Sequence, residues 1–137
     1  MKNVVILGST GSIGENALRV IDALPGQLRV TGLAAGRNCR RILEQAAAFG
    51  VRSLALDDAR AAAACAREAP AGVSVGSGAE GLVELVARAE ADIVLCAVVG
   101  TAGLRPVLAA VEHGTDVALA TKEVLVADKE QRNTPGA

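Results

Sequence analysis

A chain of 137 residues can bury one continuous core, and its 51% hydrophobic and 21% charged residues exclude a disordered or fibrous class. The net charge of −1, with acids and bases interspersed, argues against a nucleic-acid or anionic-membrane surface. One Phe with no Tyr or Trp removes the aromatic platforms that single-stranded nucleic acids need. No apolar run approaches a membrane span and Met1-Lys2-Asn3 leads straight into an apolar run, so a cytoplasmic protein without membrane partner is expected.

Val4-Val5-Ile6-Leu7 reads as a buried strand, and Gly8-Ser9-Thr10-Gly11-Ser12-Ile13-Gly14 follows it at once. Glycines three residues apart let the backbone turn sharply and approach a ligand closely. The helix that must follow starts with unpaired N–H groups and a positive dipole end, which suits a pyrophosphate. Ser12 is the expected cap. The spacing is G-x-x-G-x-x-G rather than G-x-G-x-x-G, so a variant nucleotide fold is expected instead of the commonest dehydrogenase fingerprint. Ile13, Ala17, Val20, Ile21 and Leu24 recur at helical spacing, and Pro25-Gly26 stops that helix.

A second strand runs from Leu28 to Ala35 and leads into Gly36-Arg37-Asn38, where a doubly wound fold meets the adenosine ribose of a dinucleotide. An NAD site places an Asp or Glu about twenty residues beyond the last motif glycine to bind the free ribose hydroxyls. No acid stands there. Arg37 does, with Arg40 and Arg41 close behind, and a guanidinium suits bidentate pairing with a ribose phosphate. The competing reading is a solvated helix start with scattered arginines.

Arg40 to Gly50 reads as the second helix, with Ile42, Leu43, Ala46 and Ala47 inward and Gly50 closing it. Ser53-Leu54-Ala55-Leu56 is a short strand ending in Asp57-Asp58, with Asp58 placed to cap the Ala-rich helix to about Glu68; without a further carboxylate or His at suitable spacing the acidic pair reads as capping and not as a metal site. Val73-Ser74-Val75 is a weak strand. Gly76-Ser77-Gly78 then reads as a strand-to-helix connection, because no Lys-Ser or Lys-Thr follows to make a phosphate loop. Leu82, Leu85, Val86 and Ala89 define the next helix.

Ala91 to Val99 is the most apolar stretch, as for a central parallel strand buried on both faces, and Gly100-Thr101-Ala102-Gly103 follows it as either a ligand turn or a tight packing turn. Leu104, Val107, Leu108 and Val111 form a helix with Pro106 in its first turn, and His113 sits at its end before Gly114. Asp116 to Ala120 is a sixth strand. Thr121-Lys122-Glu123 at its carboxyl end is either a solvated cap or part of a site. Residues 128–137 are polar and aperiodic and read as a disordered tail. Cys39, Cys65 and Cys96, odd in number and far apart, read as reduced thiols, each a small buried or half-buried hydrophobe, and not as a disulfide or zinc set. Alternating strands and helices predict an α/β fold of the Rossmann-like, doubly wound type. Its mainly parallel sheet should hold about six to seven strands, with helices on both faces.

Four blocks in order carry a family resemblance: Ile6-Leu7-Gly8-Ser9-Thr10-Gly11-Ser12-Ile13-Gly14, Leu33-Ala34-Ala35-Gly36-Arg37-Asn38, Val98-Val99-Gly100-Thr101-Ala102-Gly103-Leu104, and Leu119-Ala120-Thr121-Lys122-Glu123-Val124-Leu125-Val126. Over roughly residues 1–127 the chain resembles the N-terminal NADPH-binding domain of the deoxyxylulose-phosphate reductoisomerases, oxidoreductases of non-mevalonate isoprenoid biosynthesis. The resemblance implies that Thr10, Gly11, Ser12 and Ile13 line the cofactor pyrophosphate and neighbouring groups, and that Gly36, Arg37 and Asn38 surround the ribose phosphate. It implies further that Thr121 and Glu123 hold the cofactor while Lys122 faces the sugar-phosphate substrate; Thr121 stands where the family usually has Asn. In the family a divalent metal, Mg or Mn, is held by one Asp and two Glu of a following catalytic domain. The chain is therefore expected to bind NADPH without metal or catalytic residues of its own, and a homodimer is compatible with this. The alternative is a free-standing NADP(H)-binding regulatory or redox-sensing module.

Overall fold

The computed structural model describes residues 1–98 and 103–119. Eleven elements alternate through them. The strands are β1 (Lys2–Leu7), β2 (Leu28–Ala35), β3 (Ser53–Leu56), β4 (Ser74–Ser77), β5 (Ile93–Cys96) and β6 (Asp116–Leu119). The helices are α1 (Ser12–Asp22), α2 (Cys39–Phe49), α3 (Ala59–Glu68), α4 (Gly78–Arg88) and α5 (Leu104–Glu112). The strands form one sheet in the order β4-β3-β2-β1-β5-β6, with every pairing parallel.

Parallel crossovers are right-handed, so the direction in which the chain steps across the sheet decides which face receives each helix. From β1 to β4 it steps one way and lays α1, α2 and α3 on one face. There Leu18, Ile21, Ile42, Ala46, Ala62 and Cys65 pack on Val4, Ile6, Val30, Leu33, Leu54 and Leu56. From β4 the chain returns across the sheet and lays α4 and α5 on the other face, where Leu82, Leu85, Val86 and Ala110 pack on Val5, Leu7, Ala34, Ala55 and Val94. Strand alternation accounts for the division: Val4 and Ile6 point one way, Val5 and Leu7 the other. In β2 the register slips between the Val4–Val30 and Val5–Gly32 pairs, an irregularity at Thr31. The slip resets the alternation, so that Leu33 joins the first core and Ala34 the second.

Three sequence expectations need correction. Ser12 is not the cap of α1. It is the first helical residue, and Gly11 occupies the cap position in an extended conformation with no side-chain bond. The fourth strand is displaced to Ser74–Ser77 and takes in Gly76 and Ser77, because Gly76 must lie against the backbone of Gly81 and pair with Ala55. The central strand is four residues long and buried on one face only. Val94 and Cys96 are buried, whereas Ile93 and Leu95 are half-buried. Among the described residues no helix of the first face reaches beyond α1, so Ile93 and Leu95 border an apolar groove of about 600 Å³ with Ile13, Ala17 and Val20. Consequently Val20 and Leu24, though at helical spacing, are exposed, and Gly14, Leu18 and Ile21 make the inner stripe of α1.

Two further stripes differ: Ala47, expected inward, is exposed because the inner stripe of α2 runs Ile42, Gln45 and Ala46, and α5 buries Pro106 and Ala110 while Leu104, Leu108 and Val111 are exposed. Gly50 closes α2 in the left-handed conformation, Asp58 caps α3 by accepting from the Ala61 amide at 3.2 Å, and His113 precedes Gly114 at the end of α5. Cys39, Cys65 and Cys96 are free thiols. Burial, with Cys65 and Glu68 alongside, pushes the Cys39 thiol up to about 12, which makes it a poor nucleophile. No helix among the described residues is long and apolar enough to cross a membrane.

Candidate cofactor-binding site

The strand order reverses between β1 and β5, and in an open parallel sheet the crevice at the carboxyl ends of the two strands flanking such a point is where ligands bind. The turn after β1 lies there. Gly8 takes φ +89°, and a Cβ on it would come within 2.9 Å of the Ala97 carbonyl at the end of β5. A Cβ on Gly14 would fall on the Gly8 carbonyl oxygen and within 2.6 Å of the Ser9 Cα. Both glycines are thus required by close backbone approach, and the turn folds onto the first turn of α1 because of them. The amides of Gly8 and Ser9 donate to the Ala34 carbonyl at 2.7 and 2.9 Å, which ties the turn to the end of β2. What remains free is the amino-terminal turn of α1, whose first amides have no helical carbonyl to reach.

The expected pyrophosphate residues fall together here. Thr10 is half-buried in the turn, Gly11 and Ser12 are exposed at the start of α1, and Ile13 is half-buried on the wall of the apolar groove. Gly36, Arg37 and Asn38 are exposed between β2 and α2. A cleft of about 50 Å³ lined by Gly8, Ala34, Ala35, Gly36, Asp57, Leu82 and Val98 joins the two segments. Open space lies beside Gly36. Thr121, Lys122 and Glu123 lie outside the described residues, as do Gly100, Thr101, Ala102 and the 128–137 tail. Gly103 is described, and a Cβ there would come within 2.8 Å of the Cys96 Sγ, so that end of the turn is tightly packed.

The arginines divide by what they touch. Arg41 aims its Nε and Nη2 at the two carboxylate oxygens of Glu15, at 2.6 and 2.8 Å, and its Nη1 at Glu44 at 3.0 Å. It is committed to α1 and cannot serve a ligand phosphate as well. The same fork, helped by Gln45, holds the Glu15 carboxyl below its usual range against the opposing effect of burial, and raises the Arg41 guanidinium. Arg40 meets Glu44 only at 3.9 Å and is almost wholly exposed. Arg37 makes no ion pair or side-chain hydrogen bond among the described residues, so its guanidinium is the one in the Gly36-Arg37-Asn38 segment left for an anion. Asn38 has a second duty: its Oδ1 caps α2 by accepting from the Arg41 amide at 3.2 Å, leaving its Nδ2 to donate outward.

Two features were not legible in the chain. Asp58 caps α3 as its position suggests, but Asp57, read with it as part of a capping pair, lines the cleft beside Gly36. Gln45, an ordinary polar residue in an amphipathic helix, is buried and donates to the Ser9 carbonyl at 2.8 Å. No sequence signal marks either; only the approach of α2 and β3 to the turn reveals them. Among the described residues there is no group of three or more His, Cys, Asp or Glu placed to hold a metal ion.

A family model described as 1-deoxy-D-xylulose 5-phosphate reductoisomerase matches residues 4–128. The reductoisomerase of Anaeromyxobacter sp. (strain K) is 49% identical over 126 residues, covering 92% of this chain and 32% of that protein. That of Symbiobacterium thermophilum is 48% identical over 131 residues, covering 92% of this chain and 34% of that protein. Among solved structures, the Zymomonas mobilis enzyme in complex with NADPH superposes with a TM-score of 0.79 at 36% identity, over 91% of this chain and 33% of that one. A DOX-P reductoisomerase in complex with NADPH, fosmidomycin and magnesium gives a TM-score of 0.82 at 32% identity, over 92% of this chain and 31% of that one. The chain spans about a third of the length of these relatives. With a family model covering nearly its whole length and a fold that matches, the chain belongs to the 1-deoxy-D-xylulose 5-phosphate reductoisomerase family.

Proposed function

We propose that residues 1–127 form the NADPH-binding domain of a reductoisomerase that converts 1-deoxy-D-xylulose 5-phosphate to 2-C-methyl-D-erythritol 4-phosphate, and that these residues bind the cofactor without catalysing the reaction alone. One observation carries the reading: the glycine turn that leaves the first amides of α1 without helical partners lines one cleft with Gly36, and the next residue, Arg37, makes no ion pair or side-chain hydrogen bond among the described residues. Thr10, Gly11, Ser12 and Ile13 would receive the pyrophosphate and its neighbouring groups, the helix dipole opposing the phosphate charge. Arg37 would pair with the ribose phosphate, Gly36 would leave room for it, and the Asn38 amide would donate to it. Bound NADPH would supply the hydride that reduces the aldehyde formed from the sugar phosphate. Thr121 and Glu123 are assigned to the cofactor and Lys122 to the anionic substrate. In this reading the divalent metal, Mg or Mn, and the carboxylates that hold it belong to the catalytic part of the family enzyme. A cytoplasmic location and a homodimer fit the same reading.

Calorimetric titration with NADPH and NADH tests it. The chain should bind NADPH at least about tenfold more tightly, the effect of one charge-assisted contact. Arg37→Asp should remove that preference while leaving NADH affinity nearly unchanged. Equal affinity for the two cofactors in the unmodified chain would overturn the proposal.

A further inference from the structure

The feature that the cofactor reading does not absorb is the Gln45 amide. Gln45 lies on α2, is 1% exposed, and with Ser9 makes up the fully buried polar side chains among the described residues. Its Nε2 donates to the Ser9 carbonyl at 2.8 Å and to the Glu15 Oε1 at 3.1 Å. Because both partners are acceptors, the orientation of the amide is fixed by the network. One helical turn earlier on the same face of α2, Arg41 grips the same Glu15 carboxylate with two nitrogens. Two side chains of α2 therefore reach over to α1 and its leading turn, across 26 to 36 positions of sequence.

What they join is specific. Ser9 sits inside the turn proposed for the pyrophosphate, and Glu15 lies in the first turn of α1. The other end of the connection, α2, begins directly after Gly36-Arg37-Asn38 and is capped by Asn38. Gln45 is thus a cross-brace between the helix that carries the ribose-phosphate segment and the turn that carries the pyrophosphate amides.

Stability alone does not account for a glutamine at this position. The Gln45 Oε1 has no partner among the described residues, and a buried amide with one unsatisfied oxygen gives back much of what its donated bonds contribute. Met has nearly the same shape and would fill the same space with no polar atom of its own to satisfy, but it would leave the Ser9 carbonyl and the Glu15 carboxylate without the amide's bonds, so what the glutamine adds over an apolar residue is the tie between those two groups. The amide is informative for geometry instead. It fixes the height of the turn relative to α2, and so the separation of the two phosphate-binding segments, before any ligand arrives.

We propose that Gln45, with Glu15 and Arg41 as its outer support, is a positioning residue that sets the spacing between the pyrophosphate turn and the ribose-phosphate segment, so that one dinucleotide engages both without reordering them. This rests on the NADPH reading above. A preset spacing helps a ligand that spans both segments and does little for one that touches a single segment, because only the first needs their relative position fixed.

The test compares NADPH with adenosine 2′-monophosphate, which has no 5′-phosphate and so reaches only the Arg37 side, on the unmodified chain, Gln45→Met and Glu15→Ala. Gln45→Met should lower the melting temperature, because the Ser9 carbonyl and Glu15 lose a donor, weaken NADPH about three- to tenfold in the folded chain, and leave the adenosine 2′-monophosphate affinity unchanged. Amide hydrogen exchange at residues 9–14 should accelerate in that variant while the β1 and β2 amides keep their protection. Glu15→Ala, at a half-buried position that does not threaten folding, should show the same split more weakly. The brace is overturned if NADPH affinity is unchanged in Gln45→Met, or if both ligands weaken equally. Should Gln45→Met fail to fold, the same split or its absence in Glu15→Ala decides. Failure of the unmodified chain to bind NADPH would instead refute the cofactor reading itself, before any variant is compared.

Discussion

Gly14 shows how much of the site hangs on single atoms. It stands on the buried stripe of α1 with Leu18 and Ile21, at a point where the helix passes over the Gly8 carbonyl and the Ser9 Cα. A methyl group there must displace backbone, since no flexible side chain is present to yield. Gly14→Ala should therefore destabilise the chain by about 1–3 kcal/mol, despite the better helix propensity of Ala, and should abolish NADPH binding, as read by urea denaturation and cofactor titration. Arg37 and Arg41 give the complementary lesson. Both are arginines of one short basic run, and composition cannot separate them. Their roles diverge because Arg41 faces Glu15 across the α1–α2 contact while Arg37 precedes the helix and faces outward. The glycine turn, Arg37 and the missing acid were legible in the chain, since each follows from local backbone chemistry at a fixed distance from a strand. The duties of Gln45 and Asp57 were not, since each depends on a neighbour brought from elsewhere in the sequence.

Helices and strands followed local signals where these were strong. Asp58, Gly50 and Gly114 ended or began their elements as residue type dictates. The Asp58 carboxylate bonds the Ala61 amide, and α3 is short and rich in alanine, so Asp58→Ala should cost about 1 kcal/mol, measurable as a shift in the urea midpoint with unchanged slope. Boundaries failed where the backbone of another element intervened. Gly76 and Ser77 look like a loop, yet β3 offers a paired edge, and the Gly76–Gly81 contact allows α4 to start immediately after β4. The long apolar stretch from Ala91 reads as a strand buried on two faces. Its paired part is the four residues that meet β1 and β6, and Ile93 and Leu95 stay half-buried because that face carries no helix beyond α1 among the described residues.

For the whole molecule, two apolar layers lie on either side of one sheet, and the cleft beside the turn after β1 is lined by Ala35 of one layer and by Ala34 and Leu82 of the other, next to Gly8 and Val98. A ligand that bridges β1, β2 and β5 there stabilises the fold as a unit. In the cofactor reading, NADPH at about one hundred times its dissociation constant should add about 2.7 kcal/mol of stability, seen as a rise in melting temperature that grows with cofactor concentration; NADH at the same concentration should raise it less. A melting temperature independent of NADPH would contradict that placement. Sequence by itself determined the order of strands and helices, the fold class, the glycine turn after β1 and the basic segment after β2. These arise from period, turn chemistry and spacing along a single stretch of chain. Only the tertiary structure decided which arginine is free, that Asp57 lines the cleft, why a glutamine is buried, and which face of β5 stays open. Those outcomes are set by crossover handedness and by contacts between residues distant in sequence, which no local pattern encodes.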